Sequence, residues 1–160
     1  MFTFVVINCN RLFYLKNCIQ SIFEFIDLDD IDILVLDNGS SEKGTHEYLN
    51  SLRDVDIHIF PNRVSHELHR AMNFAIQYSR KKNNKYINFI QEDYQYLYKI
   101  HELTGLVNDA FNTRDEIAQI QTNFGWKIKA SKIGKYSVID INGNNWFYFH
   151  NKPPCDNGIT

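Results

Sequence analysis

Two adjacent carboxylates, Glu92 and Asp93, close the apolar run Tyr86-Ile87-Asn88-Phe89-Ile90-Gln91. Paired acids of this kind suit a divalent cation bridging to phosphate oxygens, because hard cations take carboxylate oxygens and leave positions open for substrate. The plainer alternative is an acidic turn left in solvent after a strand. A further carboxylate opens Asp37-Asn38-Gly39-Ser40-Ser41, which puts an acceptor, a glycine able to take positive φ and two hydroxyls at the head of a helix. Asp37 can accept from a nucleobase N–H or from ribose hydroxyls, whereas Asn38, Ser40 and Ser41 also fit helix capping. Asn8, Asn10 and Arg11 follow the first apolar run, where amides and a guanidinium can bind base and phosphate or simply satisfy a turn.

The elements that must position these residues are legible from hydrophobic period. Phe2 to Ile7 reads as a strand, and Leu12, Leu15, Ile19, Ile22, Phe23 and Ile26 then recur at helical spacing. Ile31 to Leu36 repeats the plan, followed by a helix marked by Tyr48, Leu49 and Leu52. Val55 to Phe60 is a third strand; Pro61-Asn62-Arg63 is a turn, and Ser65 opens a helix through Leu68, Met72, Ala75 and Ile76. The fourth strand is Tyr86 to Ile90, apolar enough to be buried on both faces. Such alternation calls for an α/β fold with a mostly parallel sheet between helices, whose carboxyl edge collects the loops after the strands.

Beyond Asp93 the pattern changes. Tyr94 to Phe111 reads as helical, while Glu116 to Gln121, Trp126 to Ala130, Tyr136 to Ile141 and Trp146 to His150 read as short strands, with Asn142-Gly143 as a hairpin turn. The turn-rich end, Lys152 to Thr160, has no terminating element, so the chain is expected to be cut short there. At 160 residues it is expected to be a single domain.

Composition excludes several functions. A net charge of -2 removes the bulk electrostatic argument for nucleic acid or an anionic membrane. Cys9, Cys18 and Cys155 form neither an even disulfide set nor a C-x-x-C pair, which points to a reducing, cytoplasmic setting. The apolar start is too short for a leader or a membrane span. His66 and His69 stand one position short of the i,i+4 zinc-protease spacing. Neither a Gly-x-Gly-x-x-Gly, nor a phosphate-loop Gly-Lys-Ser/Thr, nor a Gly-x-Ser-x-Gly elbow is present.

Taken together, Val5-Val6-Ile7-Asn8-Cys9-Asn10-Arg11 with Leu15, Ile33 to Ser41, Arg70-Ala71-Met72-Asn73 and Tyr86 to Asp93 resemble, in order and spacing, the nucleotide-binding half of family 2 glycosyltransferases. The resemblance implies a Rossmann-like GT-A three-layer sandwich with a mostly parallel central sheet and a short β-rich C-terminal region. It makes 1–93 the nucleotide-binding half and 94–160 a partial acceptor side. It further implies a nucleotide-diphospho-sugar donor, a UDP-sugar favoured, with Mn2+ or Mg2+ on the diphosphate and inverting transfer to a hydroxyl of a glycan or other acceptor. Residue by residue, Asn8 and Cys9 fall where the family contacts the base, with Asn10 and Arg11 beside them. Asp37, with Asn38, falls on the carboxylate holding base or ribose. Arg70 and Asn73 fall near the diphosphate, and Asp93, with Glu92 adjacent, falls on the metal-binding end of Asp-x-Asp.

This sequence departs from that pattern at Gln91, which replaces the first Asp. The family's general base also has no motif here; Asp115, Glu116, Asp140 and Asp156 are the remaining acids. These departures leave a catalytically silent nucleotide- or sugar-binding module, or an inactive fragment, as the alternative. A sugar nucleotidyltransferase is disfavoured because Asn8-Cys9-Asn10-Arg11 lacks glycine.

Overall fold

A computed structural model describes residues 2–61, 68–113, 136–141 and 144–149, the last two segments as backbone. In chain order the elements are β1 (Phe2–Asn8), α1 (Leu12–Phe25), β2 (Ile31–Asp37), α2 (Thr45–Ser51), β3 (Asp56–Ile59), α3 (Leu68–Lys81), β4 (Tyr86–Gln91), α4 (Leu103–Thr113), β5 (Tyr136–Ile141) and β6 (Asn144–Phe149). They fall into two compact units, Met1–Thr104 and Gly105–Thr160.

In the first unit all described strands are parallel, in the order β3-β2-β1-β4. The α/β alternation in the sequence therefore gives the sheet it predicts. β1 and β2 lie inside and are apolar on nearly every residue, so both their faces are covered. β4 is the last strand of the described sheet, and only Tyr86 and Ile90 are buried in it. The expectation that β4 is buried on both faces is thus corrected: a strand paired on one side leaves Ile87, Asn88 and Phe89 partly open.

Strand alternation sorts the core. Val5, Leu34 and Leu36 turn to one face, where α3 lays Ala71 and Ala75 against them beside Phe60. Thr3 on the same face donates its hydroxyl to Ser79 at 3.1 Å. On the other face Phe4 meets Tyr96 at a ring distance of 6.0 Å, and α1 buries Leu15, Cys18, Ile19 and Ile22. A helix was expected from Tyr94, yet α4 begins only at Leu103. Residues 94–100 form no regular helix, and tertiary partners take part of their backbone: Tyr96 N–H donates to Ser21 Oγ at 3.1 Å, and Ile100 N–H to Phe25 carbonyl at 2.8 Å.

In the second unit β5 and β6 form an antiparallel hairpin. The expected strands 116–121 and 126–130, the turns at Asn62-Arg63 and Asn142-Gly143, and the helix start at Ser65 lie outside the described residues. No helix among the described residues is long and apolar enough to cross a membrane.

Registry fixes what this frame can present. Asn8 stands opposite Asp37, and Ile7 opposite Gln91, so three strand ends finish abreast and their loops share one edge.

Beside that edge, His58 on β3 stacks on Phe74 of α3, with ring centroids 4.0 Å apart. Burial, and secondarily the Arg70 guanidinium, push the imidazole below its ordinary value. The unfolded chain then takes up the proton first as pH falls, so this residue costs stability below the ordinary histidine range of about 6.5. Urea midpoints at about pH 7.5 and about pH 5.5 should therefore differ less in His58→Leu than in the parent chain.

Candidate functional site

The loops after β1 and β2 are joined through one carboxylate. Asp37 is fully buried; its Oδ1 accepts from Asn8 Nδ2 at 2.6 Å and from the Ser40 hydroxyl at 2.5 Å, and its Oδ2 accepts from Ser40 N–H at 2.8 Å. His46 Nε2 lies 3.8 Å from the same Oδ2. Burying a carboxylate costs several kcal/mol unless hydrogen bonds satisfy it, and here the bonds come from both loops. Asp37 thus ties the two loops together through its own oxygens.

Ser40 is a hub of the corner. Its hydroxyl also accepts from Asn8 Nδ2 at 3.2 Å and from Asn10 N–H at 2.8 Å. The expectation that Ser40 and Ser41 cap the following helix is corrected, since Gly44 at φ +89° occupies the N-cap of α2 and no side chain caps it. A Cβ at Gly44 would stand 3.3 Å from Leu12 Cδ2, and the positive φ also favours glycine. Asn10 sits at φ +55°, which asparagine tolerates. Its Oδ1 accepts from Ser41 N–H at 2.7 Å and Glu42 N–H at 3.0 Å. Glu42 answers by accepting from Leu12 N–H at 2.7 Å, so the start of α1 is clamped to the loop after β2. These partners lie about thirty residues apart along the chain, so the only local signal for them was the density of Asn and Ser after each strand.

Asn8 is fully buried, Asn38 and Cys9 half-buried. Asn8 Oδ1 and Asn38 Oδ1 have no hydrogen-bond partner among the described residues. The Cys9 thiol points to the Asn38 carbonyl at 3.7 Å. Cys18, behind the edge, lies 3.9 Å from the Gln91 carbonyl; burial first, then the charges of Glu92 and Asp93, push its thiol up to about 12.

A third loop brings the acids. Glu92 N–H donates to Ile7 carbonyl at 3.2 Å, fixing the acids beside β1. Arg11 reaches both: Nε lies 3.5 Å from Glu92 Oε1, and Nη1 3.2 Å from Asp93 Oδ2. The guanidinium is half-exposed and Asp93 nearly so, while Glu92 is largely covered. Burial pushes the Glu92 carboxyl above its usual range; its own backbone N–H and Arg11 oppose the shift, and Asp93 reinforces it.

Arg70 and Asn73 lie on α3 at the far side. The Arg70 guanidinium stands 4.2 Å over the Phe60 ring, and Phe60 N–H donates to the Asp37 carbonyl at 2.9 Å. Phe60, which the sequence pattern marked only as a strand end, therefore links Arg70 to the Asp37 corner. Asn73 is exposed on the same helix.

A divalent cation fits these residues poorly. Gln91 brings an amide where a carboxylate would serve, and the two acids beside it already face a guanidinium. Among the described residues no group of three or more His, Cys, Asp or Glu is arranged to hold a metal.

The arrangement resembles known proteins in sequence pattern and in shape. The family model described as glycosyl transferase family 2 matches residues 3–151. A crystal structure of S. aureus TarS residues 1-349 aligns with 18% identity and a TM-score of 0.49, covering 72% of this chain and 32% of that one. A second S. aureus TarS structure aligns with 13% identity and a TM-score of 0.51, covering 69% of this chain and 20% of that one. The chain therefore spans a third or less of the length of these structures, and at such identity the second likeness concerns the fold alone. No curated protein matches in sequence.

Replacing Asp37 by Ala should destabilise the fold by about 1–3 kcal/mol for each donor left without an acceptor. Asn38→Ala should stay within about 0.5 kcal/mol of the parent chain. Denaturant unfolding of the two variants compares them directly.

Proposed function

The chain belongs to glycosyl transferase family 2, and from that membership we infer that its first unit is the donor-binding part of an enzyme that moves a sugar from a nucleoside diphosphate to an acceptor hydroxyl. The observation that carries this reading is the parallel registry that ends β1, β2 and β4 abreast. In open α/β sheets that edge is where ligands bind. Here it presents amides after β1 and β2 and an arginine with two acids between β1 and β4.

The base and ribose of the donor meet Cys9, Asn10 and Asn38, on loops that Asn8, Asp37 and Ser40 hold in place. An amide offers both a donor and an acceptor to a base edge; a UDP-sugar is favoured by the family resemblance. The diphosphate lies towards Arg11, with Arg70 and Asn73 approaching from α3. The divalent cation that family members often use fits Glu92 and Asp93 poorly, since both already face Arg11. In the reaction, an acceptor hydroxyl oxygen attacks the anomeric carbon opposite the leaving group. The bond from that carbon to the phosphate oxygen breaks, its electron pair leaves with the nucleoside diphosphate, and the hydroxyl proton passes to a base. Inversion follows from that single displacement. A base belongs to the acceptor side, 94–160: Asp115, Glu116 and Asp156 lie outside the described residues, and Asp140 is described only as backbone in β5. A cytoplasmic setting suits the free thiols of Cys9 and Cys18.

A second reading, a module that binds the donor without turning it over, is favoured by Gln91 at the first acid position. Nucleotide release from a sugar donor separates the two, since only the enzyme frees the diphosphate from the sugar.

Thermal unfolding with UDP, GDP and dTDP in turn tests the donor site. A nucleotide at about a hundred times its dissociation constant adds about 2.7 kcal/mol, or about 5 to 10 °C for a domain of this size. One base should give the shift, and Asn38→Ala should remove it without lowering the unliganded Tm. No shift with any nucleotide overturns the reading.

A further inference from the structure

The place expected to hold a metal ion already contains a positive charge. Arg11 Nε lies 3.5 Å from Glu92 Oε1 and Nη1 lies 3.2 Å from Asp93 Oδ2, so the oxygens a cation would need are those the guanidinium faces. One oxygen of each acid is thus already answered by a guanidinium, and a metal could take these two atoms only by displacing Arg11 from them. Gln91 further reduces what the edge offers a hard cation, whose affinity follows the number of charged oxygens around it.

The guanidinium is not there by accident of a long side chain. Arg11 is the residue before α1, and that start is clamped: Asn10 Oδ1 accepts from Ser41 and Glu42 N–H groups, and Leu12 N–H donates to Glu42 Oε2. The side chain also lies near Tyr14, its guanidinium carbon 5.9 Å from the ring centroid. The positive end of α1 is already answered by the Glu42 carboxylate at Leu12 N–H, so the charge offered to an anion at this edge is that of the arginine itself. A guanidinium is charged at every physiological pH, has five N–H donors and matches phosphate oxygens in pairs. Half of the side chain is open to solvent, so an arriving phosphate can reach it while the acids keep it oriented.

We propose that Arg11, held by Glu92 and Asp93, is the counter-charge for the donor's diphosphate, and that this chain binds nucleoside diphosphates without a divalent cation. The proposal rests on the donor-site reading above and gives the acids a different role, since they position a guanidinium instead of ligating a metal.

Calorimetric titration of the chain with UDP, GDP and dTDP, each in EDTA and in Mn2+, tests it. The nucleotide that binds should do so in EDTA within about threefold of its affinity in Mn2+. Arg11→Gln, whose exposed position should leave the unliganded Tm unchanged, should weaken binding in EDTA at least tenfold. Asp93→Asn removes a negative charge near the phosphates while its amide oxygen can still accept from Arg11, and should tighten binding in EDTA by about twofold to fivefold, the opposite of what loss of a metal ligand does. Binding that needs Mn2+ and is lost in Asp93→Asn overturns the proposal and leaves the donor site standing. Binding in EDTA that Arg11→Gln does not weaken overturns it as well. If no nucleotide binds in either condition, the proposal and the donor-site reading fall together.

Discussion

The corner of the sheet where the candidate site lies depends on one buried carboxylate. Asp37 is enclosed at the end of β2, and a group of that kind is tolerated inside a protein only when its oxygens are satisfied. Asn8 and Ser40 supply the donors. Because Asn8 ends β1 and Ser40 lies beyond β2, meeting that requirement fixes the two loops against each other. Asn10 and Glu42 extend the same union to the first turn of α1. The polar residues that look most chemical in the sequence are therefore largely spent on building the surface, and fewer remain to face a ligand.

The second polar cluster is of a different kind. Arg11, Glu92 and Asp93 meet at the rim, partly in water, where isolated ion pairs contribute about 0–1 kcal/mol. Such contacts add little to the fold and can be rearranged at small cost when a charged ligand arrives. The site thus combines a buried, cross-linked floor after β1 and β2 with a polar rim between β1 and β4 that can respond.

Beneath both clusters lies a two-sided core. β1 and β2 are covered on one face by α3 and on the other by α1 and the segment through Tyr96, and the close packing of Val5, Leu34 and Leu36 holds the strand ends level. Phe60 belongs to that core and to the site at once, since its ring packs with Ala71 and Ala75 while its face carries Arg70.

Hydrophobic period alone determined the strand and helix alternation through Asp93, the parallel sheet that follows from it, and the edge on which Asn8, Asp37, Arg11, Glu92 and Asp93 gather. These features are local: apolar side chains recur with the pitch of the element that buries them. Tertiary structure decided what each polar residue does. Whether Asp37 faces inward, whether Ser40 caps a helix or joins two loops, and whether residues 94–100 form a helix or an irregular segment depend on distant partners. Arg11 and Asp93 meet across 82 positions of sequence. A short polar side chain has several comparable partners nearby in the chain, so its choice is made only when the strands bring a better one within reach.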